Sequence, residues 1–108
     1  MEKRDERIKE VVRKAAALFL NKESNGSSLI TVTDVALKNR GKKADIMITV
    51  LPENQEDAAL DFSKRKRGEF REVLKHETSL QVLPFVDFLI DKGEKNRQRV
   101  DELLSGKI

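Results

Sequence analysis

Between Leu29 and Leu51 the apolar residues fall on alternate positions, and this stretch constrains the fold of the 108-residue chain most tightly. Ile30 and Val32 share one phase, Val35 and Leu37 the other. A slip of one residue near Thr33 and Asp34 puts all four on one face, which predicts a β-bulge. Asn39-Arg40-Gly41-Lys42 supplies turn chemistry, and Ala44 to Leu51 follows as a second strand with Ile46, Ile48 and Val50 alternating. The two strands read as a hairpin.

On either side the apolar period changes from two to 3.6. Ile8, Val11, Val12, Ala15, Leu18 and Phe19 predict an amphipathic helix over Arg4 to Leu20, ended by the Asn-, Ser- and Gly-rich stretch from Asn21 to Ser28. Asn25-Gly26-Ser27 matches a glycosylation acceptor but, with no secretory signal in front of it, reads as a turn. Pro52 closes the hairpin, and Asn54 is placed to cap a helix running through Ala59, Leu60 and Phe62. Gly68 interrupts that helix, and Phe70, Val73 and Leu74 resume its spacing to about Glu77. Leu80 to Ile90 reads as a third strand, with Pro84 arguing for an edge position or a bulge. Glu94 to Leu104 reads as a last helix whose apolar side is Val100, Leu103 and Leu104, with no long tail expected beyond it. The class is α+β, a single domain over 1–108. After a helical crossover the third strand should join the hairpin in parallel, with the helices on one face of the three-stranded sheet.

Composition removes most catalytic options. There are no cysteines, one histidine, no tryptophan and no tyrosine, so thiolate chemistry, disulfides and histidine-rich metal sites are excluded. His76, near a helix end, is expected to meet terminal carbonyls. No P-loop and no serine with histidine and acid partners in a familiar arrangement is present. Neither a cofactor nor a small-molecule substrate is expected. No apolar run approaches the ~20 residues that cross a bilayer, and no signal segment leads the chain, so a cytoplasmic protein without membrane contact is expected. The five phenylalanines fall mostly on core phases, Phe85 being the exception in doubt, so any recognition of nucleic acid should rest on phosphate and shape more than on stacked bases.

Charge is unevenly distributed. The net +3 conceals −4 over residues 53–61, from Glu53, Glu56, Asp57 and Asp61, followed by +4 over residues 62–76. Lys64, Arg65, Lys66, Arg67, Arg71 and Lys75 gather around Gly68. Such a run is either a solvated helix face or a phosphate-binding surface, since Lys and Arg release counterions when they meet a polyanion. Gly68 adds a point where backbone can be approached closely. Glu56 and Asp57 suit a helix N-terminus better than an acid–base pair, and the acidic stretch could orient a polyanion by repelling it.

The element order, together with specific segments, resembles the ribosome-binding factor A family over essentially the whole chain. The segments are Ile30 to Leu37, Ala44 to Leu51, Gly68-Glu69-Phe70-Arg71-Glu72-Val73-Leu74, the set Pro84, Val86, Phe88 and Asp91, and the ending Arg99-Val100 with Leu103-Leu104. The resemblance implies a KH-like domain of type II, with a helix–kink–helix unit in place of the usual GxxG loop; none of the five glycines is paired three residues from another. Lys66 stands where the family usually has alanine, and Glu69 where it has a hydrophobic residue. The resemblance further implies a non-enzymatic assembly factor that binds the small (30S) ribosomal subunit and its 16S rRNA and assists late maturation and processing of the precursor rRNA. A monomer is expected. Contact would run through Lys64, Arg65, Lys66, Arg67, Gly68, Arg71 and Lys75, with Arg4, Arg7, Arg40, Lys42 and Lys43 as weaker candidates. The other readings are a KH-like RNA-binding module outside ribosome assembly, and a charged protein–protein adaptor.

Overall fold

The structure, a computed structural model, describes residues 2–23 and 26–106. Strands β1 (Leu29–Lys38) and β2 (Lys43–Leu51) pair antiparallel, and Thr33 is the residue without a partner where Val32 opposes Ile48 and Asp34 opposes Met47. The bulge is therefore real, and it puts Ile30, Val32, Val35 and Leu37 opposite Val50, Ile48, Ile46 and Ala44 on one face. The turn between them places Asn39, Arg40 and Gly41 at φ values of 53°, 58° and 82°. Helix α1 (Glu2–Glu23) runs farther than its apolar stripe required, and Ser24 and Asn25 of the expected turn lie outside the described residues.

β3 (Phe85–Ile90) joins β2 in parallel, so the sheet order is β1-β2-β3 with β2 in the centre. The expected start at Leu80 is not observed. Leu80 N–H turns back to Thr78 Oγ1 and Pro84 has no N–H to give, so the first bond linking this segment to the hairpin is Phe85 N–H to Lys42 O at 2.8 Å. Val86, Phe88 and Ile90 continue the covered face; Phe85, Asp87 and Leu89 alternate onto the other.

Helices α1, α2 (Glu56–Arg65) and α3 (Arg67–Glu77) close the covered face. Phe70 of α3 is fully buried between Phe19 of α1 and Phe88 of β3, with ring centroids 5.4 and 6.1 Å away. A 3-10 turn over Glu53–Gln55 precedes α2, whose N-cap is Gln55 without a side-chain bond, so Asn54 is not the cap. The helix break falls on Lys66 (φ −91°, ψ 4°), not on Gly68, which lies in the first turn of α3. Two local bonds flank the break. The Ser63 hydroxyl donates back to Ala59 O at 2.9 Å, a bond of the kind that loosens a helix turn, and Arg67 Nε donates to Lys64 O at 3.0 Å.

Helix α4 (Lys92–Leu104) behaves differently from the expectation. Val100, Leu103 and Leu104 are exposed, Leu104 by 81%. What holds α4 is polar. Asp91 caps it by accepting Glu94 N–H at 2.9 Å, while the bulged Thr33 hydroxyl donates to the other Asp91 oxygen. Lys95 then pairs with Glu53 and Glu56 at 2.6 and 3.0 Å, leaving the apolar flank turned away.

Two glycines separate backbone need from mere space. Gly41 sits in the left-handed region, so Gly41→Ala should lower stability by about 1–2 kcal/mol in urea unfolding even though the nearest atom to an added Cβ is 3.8 Å away. Gly68 is helical with nothing within 4 Å of an added Cβ, so Gly68→Ala should raise stability by about 0.5–1 kcal/mol.

A candidate nucleic-acid interface at the helix break

Four consecutive bases on one helix would repel, yet here the break and three acids separate them. Lys64 Nζ lies 2.7 Å from Asp87 Oδ1, and Arg67 Nη1 lies 3.2 Å from the same oxygen, so one carboxylate on β3 bridges the two sides of the break. Lys66 stands between Glu23 at the end of α1 (3.6 Å) and Glu69 (3.4 Å), with its ammonium 5.9 Å from the Phe62 ring centre. Arg65 is exposed and has no acidic partner among the described residues; its Nε reaches only Asp61 O, at 3.4 Å.

Because β3 is an edge strand, side chains from α2 and α3 reach past it. The Arg71 guanidinium lies 4.9 Å from the centre of the Phe85 ring and points its nitrogens at Pro84 O and Leu83 O. Lys43, Arg67, Gly68, Arg71, Phe85 and Asp87 surround an open cavity of about 390 Å³ floored by Val86. Asp61, Lys64, Arg65 and Arg67 line a broader hollow on the outer side of the break.

The remaining candidates are dispersed. Lys43 joins the cavity and also lies 3.7 Å from the buried Asp45. Arg40 and Lys42 are exposed in the hairpin turn, and Lys42 lends its carbonyl to the start of β3. Arg7 donates to Ser79 Oγ at 3.2 Å, Arg4 is exposed near the start of α1, and Lys75 is exposed toward the far end of α3; none of the three lines the cavity. His76 faces Glu72 at 3.3 Å instead of terminal carbonyls, which Thr78 serves by donating to Leu74 O. The acidic stretch is not bare either, since Lys95 and Arg99 of α4 approach Glu53. Sequence reasoning missed Asp87 and the outward turn of Phe85. The second was readable, because Phe85 shares the phase of Asp87 against Val86, Phe88 and Ile90.

The family model of ribosome-binding factor A matches residues 4–104. This chain belongs to the ribosome-binding factor A family. Among curated ribosome-binding factor A proteins, that of Koribacter versatilis is 30% identical over 92% of this chain and 83% of its own length. That of Thermodesulfovibrio yellowstonii is 28% identical over 94% and 88%. The crystal structure of ribosome-binding factor A from Thermus thermophilus shares the fold with a TM-score of 0.69 at 21% identity, over 78% of this chain and 91% of that one. A Thermus thermophilus homology model fitted into the cryo-EM map of a 30S–RbfA complex aligns with a TM-score of 0.63 at 22% identity, over 73% and 86%. The α+β, KH-like fold of this chain is the one it shares with these relatives.

In this chain Asp87 faces both Lys64 and Arg67 across the break. Burial alone would raise its carboxyl, but the Lys64 ammonium, the Phe88 N–H and the Arg67 guanidinium outweigh that and hold it below the ordinary 3.8. A carboxyl lowered on folding stabilises the fold above its unfolded pKa, and the contribution is lost as pH falls through the folded value. Acid titration of thermal stability should therefore show wild type losing Tm below about pH 4, with Asp87→Asn starting lower at pH 7 and losing less over the same interval. Parallel curves would remove Asp87 from that role.

Proposed function

We propose that this protein is a ribosome assembly factor that binds the free small subunit through 16S rRNA and assists late maturation and processing of its precursor. The observation that carries the reading is the family match over residues 4–104, in a chain whose break gathers bases around an open cavity. The Thermus relative fitted into a 30S complex supports the same partner. Lys64, Arg65, Lys66, Arg67, Arg71 and Lys75 contact phosphates, with Gly68 admitting the backbone of the RNA and Arg4, Arg7, Arg40, Lys42 and Lys43 contributing at the margin.

The protein acts as a cytoplasmic monomer, without chemistry of its own. It binds one rRNA conformation in preference to others and so shifts a folding equilibrium by its differential affinity. The ion pairs rank the contacts. Arg65 and Lys75 are exposed without an acidic partner among the described residues, so they release counterions at no internal cost. Lys64 and Arg67 must share themselves with Asp87, and Lys66 with Glu23 and Glu69.

The wild-type protein should co-sediment with free small subunits and be scarce on full ribosomes. Combined Arg65→Gln and Lys75→Gln should leave unfolding unchanged, weaken subunit binding, and lower the slope of log affinity against log salt by roughly 0.7–0.9 for each phosphate released. An unchanged slope would take Arg65 and Lys75 out of the binding surface.

A further inference from the structure

Phe85 stands apart from the other aromatic side chains. Phe19, Phe70 and Phe88 are buried and Phe62 is half-buried, but Phe85 is 68% exposed on a strand edge, with Lys43, Arg67 and Arg71 among the residues that share its cavity. Leaving a phenylalanine ring in water forgoes the burial that the other rings obtain. Arg71 does not hide it. The guanidinium lies 4.9 Å from the ring centre and reaches the Pro84 and Leu83 carbonyls at 3.4 and 3.5 Å, which makes a two-layer platform at the 390 Å³ cavity. Lys43 and Arg67 flank that platform, and Asp87, the cavity's one acid, already faces Lys64 and Arg67. Gly68 also lines the cavity, with nothing within 4 Å of where a Cβ would stand.

We propose that this cavity takes one unpaired nucleotide of single-stranded RNA, its base stacked on the Phe85–Arg71 platform and its phosphate held by Lys43 and Arg67. The inference rests on the RNA-binding function proposed for this protein and adds a stacking contact to it. A flat π-surface beside fixed positive charge matches a nucleotide, which carries a planar base and an anion a short distance apart. Stacking tolerates any base, so the contact selects unpaired over paired RNA without selecting sequence.

The test uses the full chain, a fluorescein-labelled single-stranded RNA of eight mixed nucleotides, and the same sugar-phosphate chain without bases. Wild type should prefer the base-bearing strand by about tenfold. Phe85→Ala and Phe85→Leu should lose that preference while Phe85→Tyr keeps it, all with the wild-type salt slope and the same Tm, because the side chain is exposed. Equal affinity for the abasic chain, full binding by Phe85→Leu, or no binding of the strand would overturn stacking. A Phe85-dependent preference for an acidic peptide over the RNA would overturn it in favour of a protein partner. Co-sedimentation with free small subunits separates the two claims. Stacking can fail while wild type still pellets with subunits, whereas wild type absent from subunits defeats the assembly reading itself.

Discussion

The Phe70 ring, seated between Phe19 and Phe88, is the contact on which the rest of the molecule depends. It joins the first helix, the third helix and the third strand at one point, and full burial of such a side chain is worth about 1.5–3 kcal/mol. Partly exposed ion pairs such as Lys64 with Asp87 contribute less, typically under ~1 kcal/mol. Apolar packing therefore places α3 and contributes more to the fold than the charges arranged around the break. Phe70 lies only two residues beyond Gly68, so fixing the ring fixes the start of α3 over the edge of β3.

From that placement the character of the surface follows. An edge strand lets helix side chains reach around it, and three do so: Lys64 and Arg67 to Asp87, and Arg71 to the carbonyls before Phe85. The result is a basic surface whose charges are partly spent on one carboxylate. Such a surface is graded. Arg65 and Lys75 are exposed without an acidic partner among the described residues, whereas Lys64 and Arg67 share Asp87. A second polar chain organises the other end, where the bulged Thr33 meets Asp91 and Asp91 caps α4.

The hairpin, its bulge and its partner phases were legible because alternation records which face is covered, and Ile30, Val32, Val35 and Leu37 needed the slip at Thr33 to share it. Helix periodicity placed the stripe of α3 and most of that of α1 for the same reason, but Leu18, expected on the apolar side of α1, is 72% exposed, and Ala16 and Leu20 are buried in its stead. Legibility ended where local bonds outweighed propensity. Gly68 looked like the break, but the break falls on Lys66, flanked by the back-bond of Ser63 and the side chain of Arg67. The apolar side of α4 suggested burial, yet the partners of Lys95 fixed the helix by its other flank. At the candidate site the six bases near Gly68 were visible as composition, while Asp87, remote in sequence and unmarked by any motif, was not. Phe85 shows the opposite case, since its phase beside Asp87 and Leu89 already pointed it away from the core.

If the face at the helix break meets 16S rRNA on the small subunit, a probe tethered there must cut that RNA. The chain has no cysteine, so single cysteines can be placed at will to carry a hydroxyl-radical source. Asp61→Cys sits beside Lys64 and Arg65 at the break, and Asn96→Cys sits on α4 as the control. With each tethered protein bound to free small subunits, strong local cleavage of 16S rRNA is expected from position 61 and little from position 96. Cleavage from position 96 alone would contradict it.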